Sequence, residues 1–354
     1  MLLNKLMTFF SDDIGIDLGT MNTLVYVSGR GIVMEEPSVV ALNKDTNKVI
    51  AVGKHAKDML GRNPGNILTV RPMKDGVIAD AEVADEMLRY FINKSRGHYK
   101  VMQPRVVIAV PYGINEVEIR AVQDSAKKAG AREVRLVEEP LASAIGVKLP
   151  VGEPNGSMIV DIGGGTSEVA IISLSAIVNA ESVKCGGDAM DDAIRDHMMK
   201  VHSLLIGERT AEDIKKTIGS AYKVDNMPES MEVSGRELGQ HGSSLPRTMT
   251  ITTEEIRKAL DAPVNQIVAA IRRTLDKCKP ELAGDLLNNG IRLAGGGSKL
   301  NGLAQRIQEE TNLMTMVADT PLHAVINGLG ELLKYPQLLF GQPQNASVGN
   351  AYKR

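Results

Sequence analysis

The stretch that decides the fold is a seven-residue motif that occurs twice. Residues 17–23 read DLGTMNT, and residues 161–167 read DIGGGTS. Each copy ends one apolar run and begins a second, as in IGIDLG-TMN-TLVYVS over residues 14–28. Alternating apolar runs of this length around a glycine-containing turn predict a hairpin of two strands. One copy lies near the start of the 354-residue chain and the other near its middle. The chain is therefore predicted to contain two similar halves, each opening with the same hairpin.

The chemistry of this motif suits nucleotide phosphates. The backbone N–H groups of such a turn can surround phosphate oxygens, and glycine lets the main chain approach closely. Asp17 and Asp161 are candidate ligands for Mg²⁺, through waters that the ion retains. A single copy would favour an aspartate that merely caps a β-turn. Two copies in equivalent positions favour the phosphate site, and two similar halves predict a ligand cleft between them.

A second glycine-rich segment follows a predicted strand in the second half. Gly295-Gly296-Gly297-Ser298 comes after the strand 291–294 and before a helix predicted from Leu300. Such a segment suits backbone contact with a flat ligand or a phosphate, although a flexible turn would have the same sequence. A P-loop is excluded because G-x-x-x-x-G-K-[ST] is absent, and no G-x-G-x-x-G opens a βαβ unit.

Composition narrows the class of protein further. The net charge of −2 argues against a protein that holds nucleic acid through bulk positive charge. The hydrophobic fraction of 43% permits a sizeable core, whereas the aromatic fraction of 3% disfavours stacking platforms for bases. Cys185 and Cys278 lie far apart, which is typical of a chain in the reducing cytoplasm. No apolar run is long enough to span a bilayer.

Apolar periodicity predicts alternating strands and helices between the motifs. Residues 31–53 predict a strand pair, and residues 54–79 a loop-rich segment. Asp261-Ala262-Pro263 predicts a break between two helices, at 253–260 and 263–278. The other expected strands are 105–111, 133–137, 157–161, 168–173 and 176–184, and the other expected helices are 80–95, 116–129, 139–147, 189–205 and 211–219.

Five segments together carry a family resemblance. In chain order they are IGIDLGTMNTLVY (14–26), VEEPLASAIG (137–146), IVDIGGGTSEVAI (159–171), RLAGGGSKLNGL (292–303) and ADTPLHAVINGLG (318–330). They resemble the phosphate-1, connect-1, phosphate-2, adenosine and connect-2 motifs of the actin, Hsp70 and sugar-kinase superfamily. Within it, residues 12 to about 335 resemble the MreB family of bacterial actins, which guide cell-wall synthesis in rod-shaped cells.

The resemblance implies an α/β actin-like ATPase fold. Two similar RNase H-like α/β halves would surround a nucleotide cleft, and each half would carry a smaller subdomain. The implied divisions are an amphipathic membrane-binding segment (1–11), subdomain IA (12–33 and 80–151), subdomain IB (34–79), subdomain IIA (152–188 and 252–335), subdomain IIB (189–251) and a tail expected to be disordered (336–354).

The resemblance also implies roles for residues of the cleft, with ATP and Mg²⁺ as cofactors. Asp17 and Asp161 would organise the Mg²⁺, and Glu139 would orient the attacking water with help from Thr166. A glutamate at a helix start is also explained by its interaction with the helix dipole. The residues implied to contact nucleotide are Gly19, Thr20, Met21 and Asn22 on one side of the phosphates, Gly163, Gly164, Gly165 and Thr166 on the other, and Glu212, Lys215, Lys216, Gly295, Gly296, Gly297 and Ser298 around the adenosine.

Three features qualify these assignments. Glu212, Lys215 and Lys216 also fit an ordinary solvated charge face of a helix. Met21 is larger than the residue that the family often has in this turn. Cys185 is unusual before Gly186-Gly187, where a buried thiol would be inert.

The first ten residues, MLLNKLMTFF, predict an amphipathic helix. Placed at 100° per residue, their apolar side chains fall within an arc of about 160°. A secretory signal is disfavoured because Asn4 and Lys5 interrupt the apolar run and no cleavage site follows. The helix could pack on the protein's own core, or it could lie in a membrane interface. The apolar residues in question are Leu2, Leu3, Leu6, Met7, Phe9 and Phe10.

A loop in the first half supports the membrane alternative. Residues 94–104, KSRGHYKVMQP, combine basic side chains with Tyr99, Val101 and Met102. Basic residues beside apolar ones suit an anionic membrane surface. In MreB-like proteins an apolar loop at this place inserts beside the N-terminal helix. We therefore expect a cytoplasmic protein that lies peripherally on the inner face of the cytoplasmic membrane.

The function implied by the resemblance is that of a filament-forming ATPase. Its implied partners are further copies of itself in paired protofilaments, the anionic membrane, the transmembrane adaptor RodZ, and MreC, MreD and the cell-wall elongation enzymes, with no nucleic acid. A sugar- or acetate-type kinase of the same fold would need an aspartate that activates an acceptor, and no candidate is evident. A chaperone ATPase would need a peptide-binding domain after residue 354. A plasmid-segregation actin would not need the amphipathic start.

Overall fold

The computed structural model describes residues 12–96, 102–238, 245–335 and 339–340. The strands are β1 (Asp13–Leu18), β2 (Asn22–Val27), β3 (Gly31–Pro37), β4 (Val40–Asn43), β5 (Val49–Val52), β6 (Ile67–Val70), β7 (Met73–Lys74), β8 (Val77–Ile78), β9 (Arg105–Val110), β10 (Glu133–Glu138), β11 (Ser157–Ile162), β12 (Ser167–Ser173), β13 (Ala176–Val183), β14 (Leu204–Leu205), β15 (Ser230–Glu237), β16 (Pro246–Thr252), β17 (Ile291–Ala294) and β18 (Thr315–Val317).

The helices alternate with these strands. They are α1 (Lys54–Met59), α2 (Ala81–Ser95), α3 (Glu116–Lys128), α4 (Glu139–Gly146), α5 (Gly187–His202), α6 (Glu208–Ile218), α7 (Thr253–Asp276), α8 (Pro280–Asn289), α9 (Leu303–Thr311) and α10 (Ala324–Leu333), with short 3₁₀ helices at Gly297–Lys299 and Pro321–His323.

Two five-stranded sheets have the same topology, which confirms the two-half prediction. The first sheet has the order β10-β9-β1-β2-β3, and the second has the order β13-β12-β11-β17-β18. In each sheet the motif strand pairs antiparallel with the following strand and parallel with a later one. Asp17 and Asp161 occupy equivalent positions, because each is the last residue but one of the central strand of its sheet. The fold is therefore the mixed α/β actin-like fold that the sequence predicts.

Helices α4 and α10 cross between the two sheets. A Cβ atom on Gly146 would lie 1.8 Å from the carbonyl oxygen of Ala324, and one on Gly328 would lie 1.8 Å from that of Ala142. Only glycine at these two positions allows the helix backbones to touch. Buried residues of both sheets pack around this crossing, Ile159 and Val107 among them. The crossing fixes the floor of the cleft between the halves.

Two three-stranded sheets and the two-stranded sheet β7-β8 accompany the large ones among the described residues. Strands β4, β5 and β6 form one three-stranded sheet with α1 beside it, and β14, β15 and β16 form the other. Apart from Thr252 at the end of β16, the segments of the two three-stranded sheets lie within the predicted subdomains IB and IIB, whose bounds remain predictions.

The helix break predicted at Asp261-Ala262-Pro263 is wrong. Helix α7 runs unbroken from Thr253 to Asp276, with Pro263 inside it. Proline removes one helix hydrogen bond and crowds the preceding turn. Leu260, Pro263 and Val264 are all buried on one face of the helix. Packing of this face in the core of the second half outweighs the local cost of the proline.

The segment 54–79 is less irregular than predicted. It contains α1 and the short strands β6, β7 and β8. The predicted strand pair of residues 31–53 is also divided differently: β3 pairs with β2 in the large sheet, whereas β4 pairs with β5 in the small one. Elements of two to six residues show too little periodicity to be recognised in the sequence.

Some predictions fall on residues outside the described part. These are the N-terminal segment 1–11, the loop residues 97–101, and most of the predicted tail. Within that tail, Leu339 is buried and the Phe340 ring lies 4.6 Å from the guanidinium carbon of Arg105. Among the residues that the structure describes, no helix is both long and apolar enough to cross a bilayer.

Candidate functional site

The two repeated turns lie in contact with each other and together line a cavity of about 600 Å³. They pack closely: a Cβ atom on Gly164 would lie 2.3 Å from Met21 Cγ, and one on Gly165 would lie 2.8 Å from Thr20 Oγ1. Met21, the residue that departs from the family pattern, thus lies over Gly164. The Arg71 guanidinium donates to its sulfur at 3.2 Å. Glycine at 164 is what makes room for this larger side chain.

Hydrogen bonds hold each turn in place. In the first, Ser38 donates from its hydroxyl to the Gly19 carbonyl at 2.6 Å. In the second, the Gly163 N–H donates to the Thr166 carbonyl at 2.8 Å. The first N–H groups of α5 donate to the carbonyls of Gly163 and Gly164. The positive end of the α5 dipole therefore lies beside the second turn, as it does in many phosphate sites.

Four carboxylates converge on the floor of the cleft. Asp17, Glu139 and Asp161 line the cavity, and Glu168 lies beside them on β12. Burial, together with the charge of Asp161, raises the pKa of Asp17 to about 7. Burial also raises the pKa of Asp161, to about 6. Burying several like charges close together is costly, and this cost raises the pKa values of both carboxylates.

Glu139 and Glu168 are affected in the same way. Burial raises the pKa of Glu139 well above its ordinary value, and the charges of Glu168, Asp17 and Asp161 add to the rise. Burial also raises the pKa of Glu168 to about 7. Glu168 accepts hydrogen bonds from the Ser182 hydroxyl at 2.6 Å and from the Tyr112 N–H at 3.2 Å. Its second bond joins β12 to the chain that follows β9 in the other half.

This carboxylate cluster fits a hard divalent cation. Asp161 Oδ2 is fully buried and has no hydrogen-bond partner among the described residues. An unpartnered buried carboxylate oxygen is costly, and a cation would offset that cost. Oxygen donors of this kind are the ligands that Mg²⁺ prefers. Asp17 and Asp161 are therefore the residues that would hold it.

The predicted adenosine residues lie along another wall of the cavity. Glu212, Lys215 and Lys216 all line it from helix α6. Lys215 donates to Asp191 Oδ2 and to the Gly187 carbonyl, each at 2.8 Å, so it also ties α6 to α5. Lys216 Nζ lies 2.6 Å from Glu212 Oε1. The alternative of a purely solvated face therefore does not describe Lys215.

The glycine segment after β17 forms the wall opposite α6. Gly295, Gly296 and Gly297 line the cavity. Gly295 has a positive φ of 77°, and a Cβ atom there would lie 2.5 Å from Asp161 Oδ1. Ser298 does not line the cavity; its buried hydroxyl donates to the Gly295 carbonyl at 2.7 Å. Its described contact is thus to the turn itself.

Ion pairs close the mouth of the cleft. Arg71 pairs with Glu208 at 3.2 Å, and Lys57 with Glu212 at 3.6 Å. Lys57 lies in α1 and Arg71 follows β6, so each pair joins the first half to helix α6 of the second. Because these side chains are partly exposed, each pair contributes little to stability.

The sequence reasoning missed several residues of the cavity. Gly187 and Asp188 line it from the start of α5, within the CGGDAMDDAI stretch. Pro321, Leu322 and Val325 line it from the connect-2 segment. The connect-2 segment carries the family resemblance, but its spacing alone does not show which of its side chains face the cavity.

The second departure from the family pattern, Cys185, is inert. Its side chain is buried, and burial raises the pKa of the thiol to about 11. Cys185 Sγ lies 3.4 Å from the Pro263 carbonyl. The group is thus protonated at neutral pH and unavailable as a nucleophile.

Of the predicted membrane residues, only Met102 belongs to the described part. It is half-buried, and its carbonyl accepts a hydrogen bond from Arg96 at 3.3 Å. Leu2, Leu3, Leu6, Phe9, Phe10, Tyr99 and Val101 lie outside the described residues.

Comparison with known proteins identifies the family. A family model described as MreB/Mbl protein matches residues 11–340. The chain belongs to the MreB/Mbl family. The cell shape-determining protein MreB of Escherichia coli (strain K12) is 49% identical over 338 residues, which cover 94% of this chain and 96% of that protein. The cell shape-determining protein Mbl of Bacillus subtilis (strain 168) is 45% identical over 324 residues, 92% of this chain and 96% of Mbl.

Solved structures of MreB proteins share this fold. MreB5 of Spiroplasma citri bound to AMPPNP has a TM-score of 0.87 at 39% identity, and the match covers 92% of this chain and 97% of that one. The family resemblance and the actin-like fold predicted from the sequence are both confirmed.

Proposed function

We propose that this member of the MreB/Mbl family binds and hydrolyses ATP and polymerises into filaments on the inner face of the cytoplasmic membrane. These filaments direct cell-wall synthesis and so maintain a rod shape. The observation that carries the proposal is the pairing of two equivalent Asp-Gly turns around one cavity whose floor is a cluster of carboxylates. The relatives named as cell shape-determining proteins, and an MreB5 structure bound to AMPPNP, support it.

Different residues of the cavity contact different parts of the nucleotide. The turns 19–22 and 163–166 surround the β- and γ-phosphates with backbone N–H groups. Asp17 and Asp161 would hold Mg²⁺ through its waters, and the ion would supply positive charge beside the phosphates. Helix α6 and the glycines 295–297 enclose the adenosine.

Glu139 positions the attacking water. It begins helix α4 directly after β10, so its carboxylate reaches the floor of the cavity. A carboxylate here accepts a proton or a hydrogen bond from water in line with the γ-phosphate. The elevated pKa of Glu139 makes it a stronger base once it is ionised. Thr166, whose side chain is buried at the same cavity, assists.

The proposals of membrane attachment and of the remaining partners are based on the sequence. The apolar face of residues 1–11 and the loop 94–104 bind an anionic surface weakly in one copy and firmly in a filament that presents many copies. Paired protofilaments, RodZ, MreC, MreD and the elongation enzymes complete the proposed partners.

Electron microscopy of the full chain with ATP on anionic liposomes tests this function. We expect paired filaments on the lipid and release of phosphate. A small-molecule kinase of the same fold would give neither filaments nor phosphate release in the absence of an acceptor. A plasmid-segregation actin would give filaments that stay free of the liposomes. Either result would overturn the proposal.

A further inference from the structure

Three side chains that the nucleotide cavity does not use meet at the far end of helix α5. His197 and His202 lie near the C-terminal end of α5, and Glu255 lies in the first turn of α7. His197 Nε2 is 2.7 Å from Glu255 Oε1, and His202 Nε2 contacts the same oxygen. We propose that His197, His202 and Glu255 form a binding site for a transition-metal ion of the Zn²⁺ type.

The donor atoms are those that zinc prefers. Two imidazole nitrogens and one carboxylate oxygen make a three-ligand zinc set, which leaves a fourth position for water. The three donor atoms lie within 4.8 Å of one another. Around one zinc ion, tetrahedral ligands stand roughly 3.4 Å apart. Small rotations of the side chains therefore suffice to admit the ion between them.

Charge favours a cation at this position. Among the described residues, Glu255 has ion-pair contacts only with the two histidines. The nearby basic side chains are already engaged by other carboxylates: Lys200 by Asp196 at 2.9 Å, Arg247 by Glu237 at 2.9 Å, and Lys258 by Glu254 at 3.3 Å. No permanently charged group of the described residues therefore neutralises the Glu255 carboxylate. A divalent ion would do so.

The site is also accessible and held in place. About a fifth of each side chain is exposed: 19% of His197, 20% of His202 and 22% of Glu255. A metal ion can thus enter from solvent, yet the ligands are largely shielded from it. The Glu255 N–H donates to the Thr252 hydroxyl at the start of α7. Ser203, with a left-handed φ of 52°, ends α5 directly after His202.

Binding here would join two elements of the second half. Helix α5 starts at the second phosphate turn, where Gly187 donates to Gly163. The ion would fasten the other end of the same helix to α7. We therefore expect zinc to stabilise the fold and to leave the nucleotide cavity itself intact.

Zinc titration of the full chain against a competing chromophoric chelator tests the site. Millimolar Mg²⁺ is present throughout, so that the hard carboxylate cluster of the cavity is occupied. We expect one equivalent of Zn²⁺ to bind tightly. His197→Gln, His202→Gln and Glu255→Gln should each weaken binding at least about tenfold. His323→Gln is the matched control, because His323 contacts the single carboxylate of Glu35 at 3.2 Å.

Two further readouts keep the test independent of folding. Co²⁺ in place of Zn²⁺ should give visible absorption typical of tetrahedral coordination, which each ligand variant alters and Cys278→Ser does not. Zn²⁺ at a hundredfold excess over its dissociation constant should raise the Tm of the unsubstituted chain by about 3 to 4 °C, but not that of His202→Gln. The proposal is overturned if the chain binds no Zn²⁺ at micromolar concentration, or if all three variants bind it as the unsubstituted chain does.

Discussion

Replacing Asp17 by Asn should stabilise the protein in the absence of metal and nucleotide. Burial and the Asp161 charge raise the Asp17 pKa from 3.8 to about 7. Because the folded-state pKa exceeds the unfolded one, the protonated form favours folding, and this contribution is lost as the pH rises from about 4 to about 7. Above pH 7 the ionised group carries the full cost of its burial, which the neutral amide avoids.

The size of the effect follows from that shift. About three pKa units correspond to roughly 4 kcal/mol. Part of the Asp17 side chain faces the open cavity, where water screens its charge, so about half of this, ~2 kcal/mol, is the expected gain at pH 8. For a chain of this length that raises Tm by about 3 °C. At pH 5, where the group is largely protonated in the folded state, the gain should fall to about two fifths.

Thermal unfolding of both proteins at pH 5 and pH 8, with EDTA present, measures this gain. Asp124→Asn, at an exposed position of helix α3, is the matched control and should change Tm at neither pH. Added Mg²⁺ and nucleotide should then reverse the order, because only the unsubstituted chain keeps the carboxylate. A loss of stability at pH 8 without metal, or a gain that is equal at both pH values, would refute the electrostatic reasoning.

Three other changes test the site, the core and the membrane segment. Glu139→Ala should slow ATP hydrolysis by roughly a hundredfold or more in a phosphate-release assay and leave nucleotide affinity nearly unchanged, because only water positioning is lost. Gly328→Ala should lower the stability by about 3 kcal/mol or more in chemical denaturation, since its Cβ would overlap the Ala142 carbonyl. Changing Phe9 and Phe10 together to Asp should abolish co-sedimentation with anionic liposomes at unchanged Tm, because the apolar face then no longer enters the interface.

A different result would contradict each of these three predictions. Hydrolysis at the unsubstituted rate would remove Glu139 from its assigned role. Gly284→Ala, in helix α8, is the control for the core, because a Cβ atom at this position would meet nothing within 4 Å. This substitution should raise the stability by up to ~1 kcal/mol. Equal effects of Gly328→Ala and Gly284→Ala would contradict the close helix crossing. A lower Tm with intact liposome binding would show that the N-terminal helix packs on the protein's own core.

The two halves could be predicted because the repeat encodes the same local structure twice. An apolar strand, an aspartate and a glycine turn are short-range features, and they recur at 17–23 and 161–167. The helix break at Pro263 was predicted from equally local information and is wrong. Burial of Leu260 and Val264 on either side, which depends on distant parts of the chain, decides that α7 continues.

At the walls of the cavity, too, contacts with other parts of the structure decide what the local sequence cannot predict. Ser298 follows three glycines that line the cavity, but the 3₁₀ turn 297–299 directs its hydroxyl to the Gly295 carbonyl. Glu168 lies in a wholly buried strand, SEVAIIS, where nothing in the pattern indicates a carboxylate beside the cleft. Its partner Tyr112 lies in the other half, and contacts between halves leave no periodic signal.

The most direct test of the central claim is the affinity of the chain for ATP with Mg²⁺ and with EDTA, measured by calorimetry for the unsubstituted protein and for Asp161→Ala. If the two turns bind nucleotide through a cation held by Asp17 and Asp161, the unsubstituted chain should bind Mg-ATP far more tightly than metal-free ATP. The Asp161→Ala variant should lose most of that difference and keep its affinity for metal-free ATP. Equal weakening of both ligands by the substitution would contradict the account, because it would leave Asp161 only a structural part in its turn.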